Sequence, residues 1–222
     1  DLLHLITLKP VIYGSILNHF LKINKIVCSI TGMGTLYSHN NNKNILKQII
    51  KLIMKIYFKN KNITFIVQNS QDKKLIEKYN NNIFLIEGSG VDPNHFPYKE
   101  ENMDSFNILL STRLLKEKGV YEYVAMANIL KKKYPYINFW LSGKIDTDNP
   151  SHIKLKDLDI ISKKGVISYL GFEKNMSKLI NESNIFIYPS YYGEGLAKVL
   201  IEVAMSGRPI ITTNLPGCRE SI

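Results

Sequence analysis

Nine short apolar runs, each followed by an amphipathic or turn-rich stretch, constrain this chain more than any other feature. The runs are Leu2–Ile6, Ile26–Ile30, Ile63–Val67, Ile83–Ile86, Asn107–Thr112, Ile137–Ser142, Val166–Leu170, Ile185–Tyr188 and Ile210–Thr212. Helical periodicity predicts helices over Val11–Leu21, Asn44–Phe58, Gln71–Tyr79, Val120–Tyr134, Ile153–Lys164, Met176–Ser183 and Leu196–Ser206. Strands alternating regularly with helices over short connections imply parallel sheets covered by helices on both faces, an α/β architecture. Glycine, proline and acidic residues gather between Glu87 and Asp104, a linker composition. The expected division is therefore a first domain over 1–90 and a second over 91–222.

At 222 residues, 45% hydrophobic and 22% charged, the chain has room for one or two ordinary globular domains. Cys28 and Cys218 form no CxxC pair, so neither a zinc site nor a disulfide framework is indicated, and a reducing cytoplasm is the expected compartment. No basic-apolar leader opens the chain and no run reaches about 18 uninterrupted apolar residues, so neither secretion nor membrane spanning is expected. A strand follows the first residue at once and Ile222 lies just inside a predicted helix, so both ends look cut.

The charge is uneven. Residues 1–90 carry 12 lysines, no arginine and 4 acids, a balance of +8, whereas the remainder carries 17 basic and 15 acidic residues. Such asymmetry points to an anionic partner for the first part. Lys43, Lys47, Lys51, Lys55 and Lys59 recur every four residues among Ile45, Leu46, Ile49, Ile50, Leu52, Ile53, Met54 and Ile56. One reading is an interfacial helix on an anionic membrane surface; the other is a core helix with a solvated lysine face. Nucleic acid is not expected, since no binding motif accompanies the charge.

The segment from Tyr188 to Glu220 bears the chemistry. Glu194 sits in a Gly193-Glu194-Gly195 turn after an apolar strand, and Glu202 falls eight residues later, two turns into the predicted helix. At about 1.5 Å rise per residue the carboxylates stand roughly 12 Å apart, the reach of a sugar-diphosphate-ribose. Gly193 and Gly195 would let a ligand approach the N–H groups of a helix N-terminus at Gly195-Leu196. Arginine is rare: Arg113, Arg208 and Arg219 stand against a background of lysine, and all lie in motif segments. Arg113, Lys118 and the helix after Gly119 cluster at a strand's C-terminal end, a pattern suited to a diphosphate.

These residues resemble the family 4 glycosyltransferases, retaining enzymes of the GT-B fold, in the bacterial branch that builds polysaccharides and lipid-linked oligosaccharides, usually from UDP-sugars. The resemblance rests on the Glu-x7-Glu spacing, GRPIITT and PGCRE, with TLKPVIYGS, TGMGTLYS, EGSGVDPNHF, STRLLKEKG and DTDNPSHI in the family's order. It implies two Rossmann-like domains, both incomplete here: an acceptor-side domain and a nucleotide-sugar donor domain. It also implies that Arg113 and Lys118 neutralise the donor diphosphate, Glu194 orients the sugar, Glu202 holds the ribose, and Gly171-Phe172 meets the base. No cofactor and no metal are implied, cationic side chains standing in for a metal.

The chain departs from the family at two places. Gly195-Leu196-Ala197-Lys198 stands where the branch reads GLPK, and Ile6 where much of the family has a histidine near the reaction centre. Thr7, Lys9, Gly32 and Gly34 nonetheless fall where strands end, so they are acceptor-side candidates, with ordinary turn chemistry as the alternative. Asp146-Thr147-Asp148 looks like a metal-binding Asp-x-Asp but sits in DTDNPSHI, a segment the resemblance treats as metal-free. The five histidines show no HExxH or close pair. The expected function is transfer of a hexosyl or N-acetylhexosaminyl unit to a lipid-linked or glycan acceptor, on the inner face of the cytoplasmic membrane. A GT-B sugar-nucleotide epimerase and a catalytically silent nucleotide-binding scaffold remain as alternatives.

Overall fold

A computed structural model of the chain describes residues 2–34, 45–88, 90–101 and 104–222. Lys43, Asn44, His39, the asparagine cluster at 40–42, residues 35–38 of TGMGTLYS and Ser89 of EGSGVDPNHF lie outside the described residues. The chain forms two compact units. The first comprises residues 1–89 with 192–197 and 215–221, the second residues 90–191 with 198–214 and 222. A straight division at residue 90 differs from this in the two late segments.

In the first unit β1 (Leu3–Ile6), β2 (Ile26–Ile30), β3 (Ile63–Val67) and β4 (Ile83–Leu85) form a parallel sheet in sequence order. Its helices are α1 (Leu8–Leu21), α2 (Ile45–Tyr57) and α3 (Ser70–Ile76). Alternate residues of β2 and β3 (Ile26, Cys28, Ile30; Ile63, Phe65, Val67) are buried against Val11 and Ile12 of α1, Met54 of α2, and Phe58. Burial pushes the Cys28 thiol up to about 12, because a thiolate among apolar groups loses its hydration.

α1 begins at Leu8, three residues before the expected start. Pro10 is tolerated there because a first-turn N–H has no intrahelical acceptor. Thr7 caps the helix with φ 70 and ψ 159, a region that costs a side-chain-bearing residue on the order of 1–3 kcal/mol. Its N–H donates to the Ser29 carbonyl at 2.9 Å and its own carbonyl accepts from Val11.

α2 satisfies neither sequence reading alone. Ile50, Ile53 and Met54 pack on the core. Ile45, Leu46, Ile49, Leu52 and Ile56 are exposed, and Ile45, Ile49, Leu52 and Ile56 follow the i, i+4, i+7, i+11 spacing of one stripe. A core role therefore accounts for only part of its apolar content.

The second unit holds a five-stranded parallel sheet of β5 (Phe106–Ser111), β6 (Ile137–Ser142), β7 (Ile167–Tyr169), β8 (Ile185–Tyr188) and β9 (Ile210–Thr212). Its order is β7-β6-β5-β8-β9. The helices α4 (Val120–Lys133), α5 (Leu155–Lys163), α6 (Met176–Asn181) and α7 (Lys198–Met205) connect the strands. β5 is buried along nearly its whole length, as a central strand must be. The Tyr123 hydroxyl, buried in α4, donates toward the Ile108 and Trp140 carbonyls and ties the helix to β5 and β6. A last turn, α8 (Pro216–Arg219), belongs to the first unit. Proline at the first helical position, where no N–H is needed, makes PGCRE one turn of helix.

Candidate functional site

The sheet order sets where the second unit can bind a ligand. From β5 the chain winds outward through β6 and β7, then returns to the other side of β5 for β8 and β9. Connections leaving the C-terminal ends of β5 and β8 therefore part in opposite directions, which opens a crevice at that edge. The loop after β5 carries Arg113, a 3-10 turn over Lys116–Lys118, and Gly119. Gly119 has φ 76, and a Cβ there would overlap the Pro189 carbonyl, so a side chain is excluded twice. The Tyr191 N–H donates to the Glu117 carbonyl at 2.9 Å, joining the two loops across the crevice.

Lys118 is only 5% exposed, and its Nζ donates to the Tyr188 hydroxyl at 3.0 Å. A buried ammonium must be met by acceptors, and Tyr188 supplies one from a position 70 residues away. Arg113 is half-exposed and pairs with Asp146 at 3.3 Å. The first carboxylate of Asp146-Thr147-Asp148 thus faces a guanidinium. Among the described residues no group of three or more His, Cys, Asp or Glu side chains is placed to hold a metal ion.

Further along the same edge, the Gly171 carbonyl accepts from the Gly143 N–H at 2.8 Å and from the Ser142 hydroxyl at 2.9 Å. The Tyr169 hydroxyl donates to the Gly143 carbonyl. These bonds fix Gly171, at φ 70 with open space over its Cα, and leave the Phe172 ring exposed beside it. Glu202 lies about one turn into α7, not two, because the helix starts at Lys198. Its carboxylate is mostly buried and 3.8 Å from Lys198. Burial raises its pKa and Lys198 opposes the rise.

The other glutamate belongs to the first unit, where one donor of the expected Gly195-Leu196 anion site, the Gly195 N–H, is already bonded. The Gly195 N–H donates to the Thr31 carbonyl at 3.1 Å, and the Ala197 N–H to the Gly217 carbonyl and the Ser221 hydroxyl. Those donors are consumed, and the helix begins only at Lys198. On their Cβ sides Gly193 and Gly195 meet backbone: a Cβ at Gly193 would overlap the Gly34 carbonyl, and one at Gly195 the Thr31 carbonyl. Leu196 turns toward Gly88, where a Cβ would strike its side chain. These glycines serve close backbone packing.

Gly32 and Gly34 are brought to this turn. The Gly34 N–H donates to the Gly193 carbonyl at 2.9 Å, and a Cβ on Gly32 (φ 124) would overlap the Gly195 nitrogen. Thr7 and Lys9 stand exposed past the end of the neighbouring strand β1, Lys9 in the first turn of α1 rather than in a loop.

Three residues carry no local sequence signal for their place here: Tyr188 as the partner of Lys118, and Asn69 and Glu220 beside the Glu194 turn. The Asn69 amide donates to the Gly195 carbonyl at 2.9 Å and the Glu194 carbonyl at 3.2 Å. The Ser70 N–H and hydroxyl both donate to the Glu220 carboxylate, at 2.9 and 2.6 Å. Buried Asp72, under its cap Asn69, has its carboxyl pushed up to about 6, first by burial, with the Asn69 hydrogen bond opposing and the nearby Glu220 charge adding. The Asn69-x-x-Asp72 spacing was a readable capping signal, but its tertiary partners were not.

The family model for glycosyl transferases group 1 matches residues 91–222. The chain belongs to this family. It is 29% identical over 227 residues to the N,N'-diacetylbacillosaminyl-diphospho-undecaprenol alpha-1,3-N-acetylgalactosaminyltransferase of Campylobacter jejuni, covering 95% of this chain and 58% of that protein. It is 25% identical over 119 residues to the capsular polysaccharide biosynthesis glycosyltransferase CapM of Staphylococcus aureus, covering 54% of this chain and 30% of CapM. In three dimensions it is similar to Anabaena HepE, solved with UDP and glucose, with a TM-score of 0.74 at 17% identity over 99% of this chain and 61% of HepE. The chain thus spans somewhat more than half the length of the first of these relatives, and its two parallel sheets are those of the GT-B glycosyltransferase fold.

Proposed function

We propose that this group 1 glycosyltransferase chain serves a retaining enzyme that moves a hexosyl or N-acetylhexosaminyl unit from a UDP-sugar to a lipid-linked or glycan acceptor in surface polysaccharide synthesis. The observation that carries the reading is the pair of cations, Arg113 and Lys118, on the β5 loop at the switch point of the second unit's sheet. A nucleoside diphosphate leaving group gains negative charge as the glycosidic bond breaks, and fixed cations at that position stabilise it. Glu202, with Lys198 beside it, is suited to the ribose diol, and the exposed Phe172 ring after Gly171 to the base. Glu194 is assigned to the sugar, and Thr7 and Lys9 to the acceptor side. The donor and acceptor domains are assigned to 91–222 and 1–90 respectively.

The lipid-linked acceptor draws support from the undecaprenyl diphosphate named for the Campylobacter relative and from α2. Its exposed stripe of Ile45, Ile49, Leu52 and Ile56, with Lys51 and Lys55 also exposed, suits a helix lying in an anionic lipid interface on the cytoplasmic face. Among the described residues no helix is long and apolar enough to cross a membrane. Mass spectrometry of products formed from a panel of UDP- and GDP-sugars with membrane lipids tests the reading. A glycosylated acceptor supports it; epimerised donor without transfer indicates an epimerase, and nucleotide binding without any product indicates a scaffold.

A further inference from the structure

We infer that Asn69 is a positioning residue that holds the Glu194 turn. The inference rests on the proposed role of Glu194, and its geometry lies wholly within the first unit. Asn69 is 1% exposed. Its Oδ1 accepts from the Asp72 N–H at 2.8 Å as the cap of α3, so its NH2 group must face the opposite way. That group donates to Asp72 Oδ2 at 3.0 Å and to the Gly195 and Glu194 carbonyls at 2.9 and 3.2 Å. From the other side the Gly195 N–H is held by the Thr31 carbonyl, and the Gly193 carbonyl by the Gly34 N–H. The backbone on both sides of Glu194 is therefore gripped.

The surroundings are shaped to the same end. A Cβ on Gly217 would overlap the Glu194 carbonyl, so α8 comes close enough to bar any sideways shift of the turn. Glu220, one residue past α8, binds Ser70 through both carboxylate oxygens. Asn69 and Ser70 are consecutive, so one corner of α3 fixes both late segments. A residue that sets where a carboxylate stands, without touching substrate, alters the barrier more than the binding of the nucleotide.

The cap and the clamp use different atoms of Asn69, which makes them separable. Asn69→Ser keeps a good N-cap oxygen but removes the NH2 group that reaches Glu194 and Gly195. In the protein assayed with its active donor, kcat should fall about tenfold or more, while UDP affinity by calorimetry changes by less than about threefold. Backbone amides at 193–197 should exchange with deuterium about tenfold faster, the loss expected when one of several restraining bonds goes. A wild-type kcat, unchanged exchange, or equal falls in kcat and UDP affinity each overturns the inference. If Asn69→Ser does not fold, Asn69→Thr, which also keeps a cap oxygen and lacks the NH2 group, takes its place. If the unsubstituted protein transfers no sugar, the proposed function fails, and the exchange measurement alone decides the clamp: unchanged protection overturns it and faster exchange sustains it.

Discussion

Asp72 offers a quantitative test of the first unit's electrostatics. It is buried, and its carboxyl is raised from the ordinary 3.8 to about 6, first by burial, with the Asn69 hydrogen bond lowering it and the Glu220 charge raising it. A carboxylate held above its unfolded value binds protons more tightly when folded, so its ionised form costs stability above both values. That cost is relieved as the pH falls through 6 and is nearly gone below 3.8. A shift of about two units corresponds to about 3 kcal/mol at pH 7.5, shrinking to less than about 1 kcal/mol at pH 4. Asp72→Asn removes the charge yet keeps an oxygen for the Asn69 donor, so the variant should be more stable by about that amount at pH 7.5 and nearly equal to the parent at pH 4. Trp140, the lone tryptophan, lies in the second unit, so hydrogen exchange of β3 peptides in graded urea is the suitable probe. A variant less stable than the parent at pH 7.5, or a difference independent of pH, refutes the reasoning.

Arg113→Ala or Lys118→Ala should cut turnover about a hundredfold, as loss of one transition-state charge partner does, and Arg113→Lys should also be harmful because ammonium cannot bind phosphate bidentately. Steady-state kinetics at saturating donor checks this, and near-parental rates in either alanine variant reject the diphosphate clamp. Glu202→Gln should mainly weaken UDP binding and Glu194→Gln mainly lower kcat, since of the two only Glu194 is assigned to the sugar that reacts; equal effects on calorimetric UDP affinity contradict the assignment. Replacing Lys47, Lys51 and Lys55 with Gln should weaken binding to anionic vesicles a hundredfold or more, at about 1 kcal/mol per lysine, with the difference shrinking in high salt. Co-sedimentation that ignores both lipid charge and the substitutions leaves α2 as a core helix alone.

Strands were the most legible part of the chain. β2, β3, β6 and β8 begin and end where their apolar runs do, because a strand inside a parallel sheet is bounded by where burial stops; the edge strand β9 also keeps its run's bounds, without that burial. Helix ends were less legible, since tertiary partners set them. α7 starts two residues late because the Ala197 N–H is taken by Gly217 and Ser221, and no local pattern announces partners some twenty residues ahead. The same holds at the candidate site. Lys118 and Arg113 could be picked out as cations after a strand, but the Tyr188 hydroxyl and Asp146 carboxylate that receive them come from other strands' ends. That Gly193 and Gly195 also admit the close approach of the Gly34 and Thr31 backbone was not legible, because a sequence does not say which backbone comes up against them.

The discontinuity of the first unit has a consequence for how the chain is made. Asn69 lies 126 residues before its acceptor Gly195, and Ser70 lies 150 before Glu220. At about 5–20 residues per second on the ribosome, the corner of α3 waits about 6–25 s for the first of those partners. During that interval the four-stranded sheet can assemble, but Asn69 and Asp72, buried at the end, still face water. The nascent first unit is therefore finished only after the strands of the second have been synthesised, and a ribosome stalled before residue 195 would present protease with an unsealed edge at α3.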